Sequence, residues 1–185
     1  MRYYIDNDQN IFRVDSGMLE KFSIEGKSWY ILLHRISDWE IEENGLSLIS
    51  GEVARRILEH KLLSSLDYDW LKELAGFIHK YKVEWKPGRR RENGVYILPY
   101  PNYDERVFEA LEVLGFNNEY KYAPLPQCIS QLTALQIRDY LTHLTIEERW
   151  CEGFISNLIE DHTLYKLLLR LLELYHQHFW VMGRE

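Results

Sequence analysis

The spacing of apolar residues changes period once along this chain, and that change limits the folds open to it. Up to His34 they come in short alternating runs: Tyr3 to Ile5, Ile11 to Val14, Leu19 to Ile24 and Trp29 to Leu33. Clusters of turn formers part the runs, namely Asp6-Asn7-Asp8-Gln9-Asn10, Asp15-Ser16-Gly17 and Glu25-Gly26-Lys27. Aromatic and β-branched runs broken at such short intervals read as an antiparallel β-meander of two hairpins. A sheet this small is marginal alone, so a helix over Glu52 to Leu63, with Val53, Ile57 and Leu58 on one side, is expected to cover it.

Beyond that point the period is helical. Asp67 stands where it can cap a helix reaching about Tyr81, with Trp70, Leu71, Leu74, Phe77 and Ile78 in one stripe. Asn102 with Glu105 forms a capping pair for a helix through Leu114, and Gly115 suits its left-handed end. Asn117 to Ser130, with Pro124 and Pro126, reads as an ordered loop. Thr133 opens a helix to about Leu144, Thr145 with Glu148 opens another to about Ile159, and a last one begins near Asp161 or His162. Within this helical stretch, Val83 to Lys86 and Val95 to Leu98 predict a hairpin at about 82–98 whose connector carries Arg89, Arg90 and Arg91. The expected fold class is therefore α+β: a small N-terminal antiparallel β-meander with a helix (1–63), followed by a mainly helical domain containing one β-hairpin (64–185). The boundary is soft, near Leu63 to Leu66.

Charge and chemistry narrow the function classes. The chain carries 22 Lys and Arg against 29 Asp and Glu, a formal charge of −7, which opposes tight binding to free DNA. Its densest acidic stretch, Ser37 to Gly45, would if extended place Asp38, Glu40 and Glu42 on one face about 6.6–6.8 Å apart, with Glu43 beside them and Trp39 and Ile41 turned inward. Such a row has two readings, a solvated edge that discourages strand aggregation or a mimic of nucleic-acid phosphates toward a basic partner. Arg89, Arg90 and Arg91 likewise read as an exposed turn or as a finger gripping RNA phosphate or a partner's carboxylates. Trp39, Trp85 and Trp150 read as core anchors.

Little points to catalysis. No HExxH, GxSxG or phosphate-cradling glycine loop occurs. His176-Gln177-His178, taken as an extended tail, and His143 with Glu147 are the metal-ligand candidates, and both lack further ligands at convincing spacing. Cys128 and Cys151, the only cysteines, make neither a disulfide framework nor a zinc motif, and Cys151 is expected to pack as a small apolar residue. No catalytic residue, cofactor or metal is assigned, no membrane span is expected, and a cytoplasmic, reducing location fits best.

Two segments resemble known families. Tyr3-Tyr4-Ile5 through Ile11-Phe12-Arg13-Val14, Leu19-Glu20-Lys21-Phe22 and Trp29, then Ile49-Ser50-Gly51-Glu52-Val53-Ala54-Arg55-Arg56-Ile57, resembles a module that begins many small proteins of mobile elements in Gram-positive bacteria. Type II-A anti-CRISPR proteins, inhibitors of the RNA-guided effector nuclease, are among the proteins built this way. From about Asp67 to Tyr175 the chain is similar to a bacterial domain of unknown function, on Leu98-Pro99-Tyr100-Pro101-Asn102-Tyr103, Gly115-Phe116 and Glu148-Arg149-Trp150-Cys151-Glu152-Gly153. That domain usually has Phe in place of Trp150 and often Asp in place of Glu152, and it supplies no known chemistry. The first resemblance implies a non-enzymatic anti-CRISPR protein of a phage or other mobile element, acting in the bacterial host cytoplasm. Its expected partner is a type II CRISPR effector nuclease, with or without guide RNA, met through Asp38, Glu40, Glu42, Glu43, Arg89, Arg90 and Arg91. Two rival expectations stand beside it: an accessory or regulatory protein that binds another host or phage protein, and a hydrolase or nuclease using Glu and His residues brought together by folding.

Overall fold

The structure, a computed structural model, describes residues 1–23, 28–92, 94–115, 128–150 and 153–182. The expected turn at Glu25 to Lys27, most of the expected loop at Asn117 to Ser130, and the expected packing of Cys151 lie outside those residues. The chain divides into two compact units, Met1–Leu66 and a second that begins at Asp67.

In the first unit the alternating runs form strands β1 (Arg2–Ile5), β2 (Ile11–Asp15), β3 (Met18–Ser23) and β4 (Ser28–His34), followed by helix α1 (Asp38–Glu43), strand β5 (Ser47–Ile49) and helix α2 (Gly51–Ser64). The strands make one antiparallel sheet, ordered β4-β3-β2-β1-β5. The β1–β2 turn is held by Asp6, whose Oδ1 accepts the backbone N–H groups of Asp8 and Asn10. At the β2–β3 turn Ser16 and Gly17 both have positive φ, 51° and 82°, the two-residue geometry that suits the right-handed twist of a hairpin. A bulge at Leu32 offsets β4 against β3, since Leu19 pairs with Leu33 and Glu20 with Ile31.

Alternation then sorts the sheet's faces. Tyr4, Phe12, Val14 and Leu19 gather with Ile41 of α1, flanked by Ile36 and Leu46. The other face carries an ion pair between Arg13 and Glu20, opposite each other in the β2–β3 ladder, with the Arg13 guanidinium 4.5 Å from the Trp29 ring centroid. Helix α2 lies against β1 and β2 and buries Ala54, Leu58, Leu62 and Leu63. Its buried stripe runs at i, i+4 and i+8 from Ala54, so Val53, expected on that side, is exposed instead.

The second unit is mainly helical: α3 (Tyr68–Lys80), four short strands β6 (Glu84–Lys86), β7 (Arg89–Arg90), β8 (Tyr96–Ile97) and β9 (Tyr100–Asn102), then α4 (Glu105–Gly115), α5 (Ala134–Trp150), α6 (Phe154–Glu160) and α7 (Thr163–Met182). Asp67 caps α3 through its bond from the Trp70 N–H, and Thr133 and Gln136 form a reciprocal box at the start of α5. Leu71, Val107, Ile137, Leu141, Ile155 and Leu167 are each fully buried, one or more from every helix. Among the described residues no helix is long and apolar enough to cross a membrane.

Three local expectations are corrected. Helix α4 is opened by Asp104, whose Oδ1 accepts the Arg106 N–H, because Asn102 is committed to β9. Helix α5 does not break at Thr145: the apolar stripe continues through Leu144, and the Thr145 hydroxyl donates back to the Leu141 carbonyl. The hairpin extends to Asn102, with β6 on β9 and β7 on β8 rather than 83–86 on 95–98. Both ladders keep one register and part only where Pro87-Gly88 faces Leu98-Pro99, since proline has no N–H for a ladder bond.

Candidate functional site

The acidic stretch is helical, not extended, and this changes what it presents. Ser37 caps α1: its hydroxyl accepts the Glu40 N–H at 3.3 Å, and Glu40 Oε2 accepts the Ser37 N–H at 2.8 Å. The Ser37 hydroxyl, which also donates to Glu40 Oε2 at 2.7 Å, and then the Ser37 N–H hold the Glu40 carboxyl below its ordinary pKa and commit it to the helix end. Asp38 meets Arg2 at 2.8 Å in an exposed ion pair. Ile41 is buried, and at about 100° per residue Asp38, Glu42, Trp39 and Glu43 follow one another around an exposed arc of about 140°. Trp39, expected inside, is 66% exposed between Glu42 and Glu43. Among the described residues neither glutamate is in an ion pair. Of the four expected contact carboxylates, two therefore remain uncommitted, and a tryptophan stands with them.

The arginines sit on the far half of the hairpin. Arg89 and Arg90 pair with Ile97 and Tyr96, and the Arg91 N–H donates to the Val95 carbonyl at 2.8 Å. The Gly94 N–H closes the turn on the Arg91 carbonyl, and Gly94 has φ of 83°, the left-handed end that a three-residue hairpin loop requires. All three guanidinium groups are exposed, and among the described residues none is in an ion pair. At the base, Trp85 covers Gly153, where an added Cβ would lie 3.0 Å from the indole. Trp85 is thus a half-exposed clasp, not the core anchor expected of it.

Glu148 has a role that its sequence motif concealed. One oxygen accepts the Gly153 N–H at 2.9 Å and the Tyr103 hydroxyl at 2.9 Å, and the other accepts the Ile155 N–H at 2.7 Å. The Tyr103 oxygen in turn accepts the Ser156 N–H at 3.0 Å. Burial first, then the bond to Glu148 and its charge, push the Tyr103 phenol well above its ordinary pKa. Every bond Glu148 makes joins the start of α6 to α5 and to the segment before α4, so the cluster is a fastening.

The histidines are dispersed. Helix α7 continues through His176 and His178, so the two rings point about 200° apart rather than to one side of an extended tail. His176 Nε2 is 2.7 Å from the Tyr68 hydroxyl, and His143 is buried with Nδ1 3.8 Å from Glu147. His79 stacks near Tyr165 at 4.4 Å beside a cleft of about 410 Å³ that Lys80, Lys82, Glu160 and His162 also line. Among the described residues no group of three or more His, Cys, Asp or Glu side chains is placed to hold a metal ion.

Residues 67–177 match a family described as "Family of unknown function (DUF6508)". The match takes in the hairpin, Tyr103 and Glu148, and leaves the first unit outside it. No curated protein and no solved structure matches the chain.

Proposed function

The chain belongs to that family of unknown function, and from this premise we propose that it is a non-catalytic binding protein that captures and inhibits a type II-A RNA-guided effector nuclease or its guide RNA complex. The observation that carries the reading is Trp39, 66% exposed on α1 between Glu42 and Glu43. A tryptophan left in water forgoes the burial of roughly 150–250 Å² of aromatic surface, and such residues supply the largest single contributions to protein interfaces. Carboxylates around it steer the patch toward a cationic surface, and the nucleic-acid channel of an RNA-guided nuclease is one. Glu42 and Glu43 carry the charge of this patch, since Asp38 and Glu40 are engaged within the chain.

The test is capture and DNA cleavage with a matched type II-A nuclease and guide at physiological salt. Inhibition that falls at least tenfold in Trp39→Ala and in the double variant Glu42→Gln/Glu43→Gln supports the reading; undiminished cleavage with the unmodified protein removes it. A second reading, an accessory protein of a phage or other mobile element that binds a different protein, draws on β4, an edge strand whose Tyr30, Ile31, Leu32 and Leu33 are 43–45% exposed. Partner capture that survives Trp39→Ala but is lost in Ile31→Lys favours that alternative.

A further inference from the structure

Strand alternation sorts the hairpin's side chains onto two faces. Trp85, Arg89 and Arg91 share one, and its base is held down by the contact between Trp85 and Gly153. The opposite face presents Lys86 and Arg90 with their cross-strand partners Tyr100 and Tyr96. The Lys86 ammonium lies 5.8 Å from the Tyr100 ring centroid, and two same-face steps along the ladder Arg90 stands beside Tyr96, which is 59% exposed. Between the two cation–tyrosine steps, Leu98 is 70% exposed. The ring of Tyr96 also lies against Gly88, where an added Cβ would come within 2.5 Å of its hydroxyl, so the ring is braced rather than free to swing.

From this arrangement we infer that the Lys86, Arg90, Tyr96 and Tyr100 face is a binding site for single-stranded nucleic acid. The cations meet phosphates, and the rings stack on unpaired bases, which a duplex would keep enclosed. Charge is sorted to match. From Glu84 to Asn102 stand four of the 22 Lys and Arg but only two of the 29 Asp and Glu, leaving 18 cations against 27 anions in the rest of the chain. A polyanion is thus drawn to the arm and repelled elsewhere, so binding is local, of modest affinity and salt-dependent. An acidic polypeptide would satisfy the cations but leave the tyrosine rings uncovered. The site needs no nuclease, so it stands or falls apart from the reading above.

Fluorescence anisotropy of labelled 16-nucleotide rU and dT oligomers, a duplex of the same length and poly-glutamate, each titrated with the full chain, tests the site. With the two cations of this face engaged, log K against log salt should have a slope of about −1.4, or about a 7-fold loss between 50 and 200 mM salt. Arg90→Ala should flatten that slope by about 0.7, and Tyr96→Ala should weaken binding about 5- to 100-fold while Tyr96→Phe, which keeps the ring, changes it little. Circular dichroism of each variant confirms that the fold persists. Tighter binding of rU than of dT identifies RNA as the source of the strand, and the reverse identifies DNA. No saturable binding at tens of micromolar, equal binding of the duplex, equal binding of poly-glutamate, or folded Arg90 and Tyr96 variants that bind like the unmodified chain would each overturn the assignment.

Discussion

Replacing Glu148 tests the second unit at the point where three of its parts meet. Its carboxylate accepts two backbone N–H groups at the start of α6 and the Tyr103 hydroxyl. Glu148→Ala leaves all three donors without their acceptor. A hydrogen bond to a charged group is worth about 1.5–3 kcal/mol, but Glu148 is only half-buried and water can replace part of the loss, so the expected cost is about 2–4 kcal/mol. For a unit of this size that lowers the melting temperature by about 6–20 °C. Glu148→Gln retains one acceptor oxygen while turning an amide N–H toward a backbone donor, and should cost about half as much. Urea unfolding followed by far-UV circular dichroism measures both. A cycle with Tyr103→Phe should show coupling of about 0.5–3 kcal/mol, because the two residues share a bond. If Glu148→Ala stays within about 0.5 kcal/mol of the unmodified chain, or Gln is no milder than Ala, the fastening role is wrong.

Gly153→Ala combines a φ of 93° with a Cβ 3.0 Å from Trp85, so it should destabilise by about 1–3 kcal/mol and raise the accessibility of Trp85 to a fluorescence quencher. Tyr140, buried and near Asp161, has its phenol pushed up to about 12, and Tyr103 is raised as well. Because the folded chain keeps protons that the unfolded tyrosines release, stability should be full below about pH 10 and fall as pH rises toward 12, less steeply in Tyr140→Phe, as read from urea midpoints. Trp39→Ala should leave the urea midpoint within about 0.5 kcal/mol of the unmodified chain, since the side chain is exposed; a larger loss would mean that Trp39 is structural.

The same sequence pattern, Ser or Thr followed three residues later by Glu, occurs at Ser37 and at Thr145 with opposite outcomes. At Ser37 it is a capping box, although Asp38-Trp39-Glu40-Ile41-Glu42 also alternates as a strand would. Both periods place Ile41 inside, so burial of Ile41 could not decide between them; the capping signature could have, and it also exposes Trp39. At Thr145 the pattern lies within a helix whose stripe, Ile137, Leu141 and Leu144, has not ended. What Glu148 does instead depends on Tyr103, 45 residues away, and no local rule reaches that far. The meander and the Asp67 and Thr133 caps were legible because each rests on neighbours in sequence. The hairpin pairing was legible only up to its turn residues, since the step from β7–β8 to β6–β9 is set by where Pro87 and Pro99 interrupt the ladder.

That uninterrupted register has a consequence for how the arm can evolve. Its inward and outward residues are assigned by parity counted from the Trp85 clasp, so losing or gaining one residue before Arg90 would exchange the two sides while leaving composition almost unchanged. Drift in length is tolerable only in steps of two, whereas drift in identity at Pro87 or Leu98, in the gap between ladders, costs little order. Among relatives, the spacing from tryptophan to arginine is therefore a better mark of shared use than the residues that lie between them.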